Sequence, residues 1–206
     1  MISRGWTKTG TDLNFIPNPP PRCDVIVVPV PQIADIYQSI VQQLQNNVGI
    51  QVKVHSIVQI KNPSLEEAYL AIKQLIAKEC VGGNPNERLL FHGTSGTSID
   101  GILNDGFDDR YWNSEKWGHG AYFAENPAVS HVFAQPDATD QTRVMFYNKV
   151  TLSKQQTLQN TDGNLKAAPK EFHSVHGIPP GTTNKDEFIV YRYAQALPYL
   201  KITYKG

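Results

Sequence analysis

The sequence predicts an α+β fold, on two observations. The N-terminal third mixes strand-like and helix-like periodicities, whereas from Leu89 onward the apolar runs are short, strand-like and separated by turns. The chain therefore lacks the regular strand–helix alternation of a parallel α/β sheet. Its 206 residues suit one domain with a substantial core.

Residues 1–22 contain Gly5, Gly10 and the run Pro17-Asn18-Pro19-Pro20-Pro21, a composition that resists helix and sheet and reads as a flexible tail before a domain spanning 23–206. Asp24–Val30 is rich in Val and Ile and predicts a strand closed by Pro31. Between Gln32 and Asn46, the spacing of Ile33, Ile36, Tyr37, Ile40, Val41 and Leu44 predicts an amphipathic helix. Ile50–Ile60 alternates imperfectly, predicting a strand with an irregularity. Ser64 followed by Glu67 fits a capping box opening a helix that runs to Lys78. After the breaker Gly82-Gly83-Asn84-Pro85-Asn86, strands are expected at Leu89–His92, Ala121–Ala124, Arg143–Val150, Glu187–Ala194 and Tyr199–Tyr204. Short helices are expected at Ser98–Asp105 and Pro127–Phe133.

Charge narrows the function classes. Nineteen basic and nineteen acidic residues cancel, and sequence-independent nucleic-acid binding rests on excess Lys and Arg, so no direct nucleic-acid partner is expected. Cys23 and Cys80 form no CxxC pair and read as reduced thiols. His173 and His176 are two histidines in a loop without further ligands, and no metal is expected. No apolar stretch is long enough to span a membrane, and Met1–Pro21 lacks the apolar centre of a signal peptide. The expectation is an intracellular protein, cytoplasmic or nuclear, without a membrane partner.

Three strand edges each end on a chemically capable residue: His92 after Leu89-Leu90-Phe91, Tyr122 within Gly120-Ala121-Tyr122-Phe123-Ala124, and Glu187 ahead of Phe188-Ile189-Val190-Tyr191. Taken singly, His92 fits a hydrogen-bonded rim residue, Tyr122 a core aromatic and Glu187 a solvated strand end. Together they can converge on one cleft. Gly93 after His92 lets a flat amide approach the backbone closely. Gly118-His119-Gly120 does not fit a dinucleotide fingerprint, because a strand-like segment follows where a helix is required.

The motifs FHGT, GAYFAENPAVS and DEFIVYRYAQALPYLKITY, in that order, resemble the catalytic domain of the poly(ADP-ribose) polymerase family, the diphtheria-toxin-like ADP-ribosyltransferases. The resemblance is strong over about 86–204 and extends weakly, through IVQIKNPSLEEAYLAIKQ, to about residue 50. The tankyrase branch is the nearest pattern, although its zinc-binding cysteines are absent between the second and third motifs. The family's autoinhibitory helical domain has no counterpart in the N-terminal third.

The resemblance implies an ADP-ribosyltransferase fold of split, mostly antiparallel sheets with a few flanking helices. It implies NAD⁺ as substrate, no metal, and protein acceptors, the chain itself among them. His92, Tyr122 and Glu187 become the catalytic triad. His92 would orient a ribose hydroxyl, and Gly93 and Ser130 would hold the nicotinamide carboxamide, with Thr94 beside them. Tyr122 and Phe133 would flank the nicotinamide ring, Phe133 replacing the family's usual tyrosine. Tyr111, in the loop 108–117, would cover the adenine end. Glutamate at position 187 permits chain elongation and tilts the expectation towards poly- or oligo(ADP-ribose); transfer of a single unit and silent binding of NAD⁺ or ADP-ribose stay open.

Overall fold

A computed structural model describes residues 25–109, 112 and 114–206. The tail 1–22, Cys23, Asp24 and Tyr111 lie outside these residues, so the expectations placed on them stay with the sequence.

Apolar alternation builds two sheets. In the larger, β1 (Ile26–Pro29), β2 (Lys53–Lys61) and β3 (Glu87–Thr94) join β7 (Arg143–Thr151) and β11 (Ala196–Lys205) in the order β1-β2-β11-β7-β3, with antiparallel pairing throughout. In the smaller, β6 (Ala121–Phe123), β8 (Gln155–Leu158), β9 (Ser174–Gly177) and β10 (Glu187–Val190) take the order β6-β10-β9-β8, with only β8–β9 parallel. A two-rung ribbon pairs β4 (Ser114–Glu115) with β5 (Gly118–His119). Among the described residues four α-helices flank the sheets: α1 (Asp35–Asn47), α2 (Pro63–Lys78), α3 (Ser98–Asp105) and α4 (Pro127–His131).

Strand β7 shows why the core has two halves. Met145 and Tyr147 face one way and pack with Tyr37, Ile40 and Leu44 of α1. Phe146 and Val150 face the other way and pack with Leu90, Phe123 and Phe188 between the two sheets. Period-two alternation on a strand covered on both sides forces this division. Complete burial of each large apolar side chain contributes about 1.5–3 kcal/mol. The irregularity expected in the second strand is real: Thr203 pairs with Ser56 but Tyr204 with Val54, which leaves His55 as the extra residue of a bulge.

Several boundaries moved. Helix α1 starts at Asp35, and Ile33 stays 92% exposed in the preceding turn. Helix α4 ends at His131, and β10 ends at Val190 instead of Ala194. Of the two histidines expected in a loop, His176 lies on β9 (Ser174–Gly177), between β8 and β10, while His173 sits in the bend just before it. Its two histidines serve separate partners, His173 bonding Ser153 and Glu79 and His176 bonding Asp186 while stacking on Phe188. Among the described residues no cluster of three potential metal ligands forms, and no helix is long and apolar enough to cross a membrane.

The cap of α2 also differs from expectation. Asn62, not Ser64, is the N-cap: its side-chain oxygen accepts from Leu65 N–H at 3.2 Å, and Pro63 occupies the first helical turn. Proline suits that turn because it has no N–H to leave unpaired. The Asn62 amide donates to the carbonyls of Leu103 and Asn104 at 3.1 and 3.2 Å, tying α2 to the end of α3. Asn62→Ala should therefore cost about 1–2 kcal/mol, whereas Ser64→Ala should cost less than about 0.5 kcal/mol. Denaturant unfolding of the two variants checks this; equal losses would restore Ser64 as the cap.

Candidate active site

The two sheets meet through one bridge, in which Phe91 N–H donates to Ala124 O at 2.8 Å and Ala124 N–H returns to Phe91 O at 3.0 Å. Past this rung, a cavity of about 500 Å³ opens, a size typical of small-ligand sites. His92, Gly93 and Thr94 line it from β3, Tyr122 from β6, Ser130 from α4, Phe133 just beyond α4, and Glu187 from β10. Every described residue of the expected constellation thus reaches one cavity; Tyr111 lies outside the described residues.

Strand alternation aims Gly93. Phe91 turns its N–H and C=O towards Ala124, and two residues on Gly93 turns the same groups to the same side. That side is the cavity, because among the described residues β3 and β6 pair only at Phe91–Ala124 and diverge beyond it. The glycine is also demanded by packing, a reason the sequence did not reveal. A Cβ at Gly93 would lie 1.8 Å from the Ser130 carbonyl oxygen and 3.1 Å from Ala134 N, so only glycine lets α4 lie this close to β3. Packing likewise accounts for Gly118 and Gly120. Added Cβ atoms would meet Leu165 O at 2.2 Å and Ile189 Cγ2 at 2.6 Å. Gly118 also sits at φ +91°, where L side chains are strained.

His92 bonds through Nδ1 to the Tyr122 carbonyl at 2.8 Å. A carbonyl only accepts, so Nδ1 carries the proton and Nε2 of the neutral ring is an acceptor. The imidazole meets Phe107 edge-on at 5.0 Å and lies 5.6 Å from Phe123. Desolvation pulls its pKa below the ordinary value and outweighs the opposing bond to Tyr122. The Tyr122 hydroxyl donates to Gly118 O at 2.7 Å and accepts from Trp117 N–H at 3.0 Å. Burial, with the nearby Glu187 charge adding to it, pushes that phenol well above its usual range.

Glu187 is only 6% exposed, not a solvated strand end. Its Oε2 accepts from Trp117 Nε1–H at 2.7 Å and lies 3.9 Å from Lys116 Nζ. Trp117, which bonds Glu187 from behind the cavity wall, is one residue that sequence reasoning missed. It is fully buried, and its only signal was a large aromatic between polar Asn113-Ser114-Glu115-Lys116 and Gly118. Trp112 was missed too; it lines the cavity, with Nε1 buried and lacking a partner among the described residues. Ser130 and Thr94 are buried, whereas Phe133 is 53% exposed at the rim.

The lowered His92 pKa has a sign. The unfolded chain takes up a proton near pH 6.5 that the folded imidazole resists. Stability from this group is therefore complete above about pH 6.5 and is lost as the pH falls through the folded value. His131, lowered first by burial and then by Arg143, acts in the same direction. His92→Asn should flatten the dependence of unfolding free energy on pH below about 6.5, as measured by denaturant titration. An unchanged slope would mean that His92 titrates as a free imidazole.

Comparison with known proteins agrees with this geometry. Residues 34–202 match the profile of the family described as "Poly(ADP-ribose) polymerase catalytic domain". The chain is 34% identical over 124 residues to the mouse (Mus musculus) protein mono-ADP-ribosyltransferase PARP4, a match covering 53% of this chain and 6% of that relative. It is 35% identical over 103 residues to human (Homo sapiens) protein mono-ADP-ribosyltransferase PARP12, covering 49% of this chain and 14% of the relative. Human protein mono-ADP-ribosyltransferase PARP14 is 33% identical over 104 residues, covering 48% and 6%. The chain thus corresponds to a small part of each relative's length. With the profile spanning most of the chain and the split sheets enclosing the expected cavity, the chain belongs to the poly(ADP-ribose) polymerase catalytic-domain family.

Proposed function

We propose that this chain transfers ADP-ribose from NAD⁺ to protein side chains. The observation that carries the proposal is the buried Glu187 carboxylate sharing one cavity with His92, Tyr122 and the turned backbone of Gly93. In this reading the Gly93 N–H and C=O, with the Ser130 hydroxyl, hold the carboxamide of the leaving nicotinamide. Tyr122 and Phe133 supply flat faces for its ring. His92 Nε2 accepts from a ribose hydroxyl, and the buried Trp112 N–H is a further donor available to the ligand.

Breaking the nicotinamide–ribose bond develops positive charge on the ribose, as in glycoside cleavage. A carboxylate already aimed at that position stabilises the transition state more than the ground state, without reorganisation during the reaction. Glu187 fits this role, since it is buried and its charged neighbour Lys116 is 57% exposed and screened by water. Acceptors are proteins in this proposal, the chain itself among them.

Transfer of a single unit is the finer reading, favoured by relatives named as mono-ADP-ribosyltransferases. Retention of a carboxylate at 187, able to accept from an incoming hydroxyl, favours elongation. Labelled NAD⁺ separates the two on a gel: one discrete band for single transfer, a ladder for elongation, and no label for a binder without catalysis.

Glu187→Gln should lower kcat on the order of 10²–10³-fold with NAD⁺ affinity retained; full activity in this variant would remove Glu187 from the chemistry. Phe133→Ala takes away one stacking face, worth about 0.5–1.5 kcal/mol. The expected result is a KM for NAD⁺ raised about two- to tenfold at nearly constant kcat, and an unchanged KM would exclude the ring from the site.

A further inference from the structure

Trp117 is tied down on three sides. Its indole N–H donates to Glu187 Oε2 at 2.7 Å, its backbone N–H to the Tyr122 hydroxyl at 3.0 Å, and its carbonyl accepts from the Tyr191 hydroxyl. The indole is fully buried. Gly177, the residue directly opposite Glu187 on β9, makes room for it. A Cβ at Gly177 would fall 2.3 Å from Cε2 and 2.5 Å from Nε1 of the indole. Three separated segments thus bring one ring N–H to one carboxylate oxygen.

We infer that Trp117 is a positioning residue: its indole N–H fixes which oxygen of the Glu187 carboxylate faces the reacting ribose. The inference rests on the proposed role of Glu187 in ADP-ribose transfer. Oε2 is held back by the indole, and among the described residues Oε1 has no hydrogen-bond partner while the side chain lines the cavity. Oε1 is therefore the oxygen left for substrate.

The choice of an indole has a physical reason. A guanidinium or ammonium in this place would orient the carboxylate equally well, but its positive charge would oppose the cation developing on the ribose. An indole is a neutral, donor-only group that cannot turn round and accept. It fixes the carboxylate geometrically and leaves its negative charge available. Lys116 Nζ, 3.9 Å away and 57% exposed, is too distant for a hydrogen bond and is solvated.

The test replaces Trp117 with β-(3-benzothienyl)alanine, which has the shape of tryptophan without the N–H, introduced at that codon alone in the full chain. The expected result is a kcat lower by about ten- to hundredfold, with KM for NAD⁺ and the melting temperature close to wild type. A kcat equal to wild type overturns the inference. So does a parallel loss of kcat, KM and melting temperature, which would mark the ring as packing alone.

A second readout does not depend on turnover. In the ¹H–¹⁵N spectrum, the indole cross-peak that disappears in Trp117→Phe should shift upfield in Glu187→Gln, where a neutral acceptor replaces the carboxylate. An unmoved peak overturns the contact whether or not the protein turns over NAD⁺. Inactivity of the wild-type chain with the peak shifting as expected would instead sink the proposed function and leave the geometric pairing intact.

Discussion

The bridge between Phe91 and Ala124 is the constraint on which the site depends. Both residues are buried and satisfy each other's backbone groups, so the edges of the two sheets are locked there. One residue further, the His92 ring bonds the Tyr122 carbonyl and repeats the tie through a side chain. Two residues further, Gly93 has no ladder bond to β6, and its free edge lines the cavity. A single antiparallel rung thus converts a sheet edge into a ligand-facing surface, because unpaired strand groups in a buried setting require partners.

The electrostatics of the cavity are as economical. Glu187 is a buried carboxylate whose hydrogen-bond donor, the Trp117 indole, carries no charge. His92 is held towards its neutral form by desolvation. A buried ion without close neutralisation is costly, and here one strong donor bond and a solvated lysine offset that cost. The carboxylate therefore stands where the proposed transfer would develop a cation. Elsewhere, ionisable groups are paired off structurally. His173 links Glu79 at the end of α2 to Ser153 after β7, and His176 joins Asp186 while stacking on Phe188.

Periodicity made most of the elements legible. Alternation marked β2, three-four spacing marked α1 and a capping pattern marked α2, because these signals are local. Segments whose burial comes from distant partners escaped notice. Strand β9, Ser174-Val175-His176-Gly177, is too short and mixed to announce itself, and is a strand only because β8 and β10 flank it. The α2 cap was misplaced by two residues because both Ser64 and Asn62 are good caps; Pro63 and the two carbonyls at the end of α3 decide for Asn62.

By itself, the sequence determined the α+β class and the order of the three motif strands, and singled out His92, Tyr122 and Glu187 as candidates, since residue type and strand edges are written locally. Only the tertiary structure decided that Glu187 is buried, that Gly93 and Gly177 are glycines because α4 and the Trp117 indole press against them, and that Trp117 bonds Glu187. The physical reason is range. Strand and helix patterns arise between residues a few positions apart, whereas Trp117 meets Glu187 across seventy positions, through a contact that leaves no period in the chain.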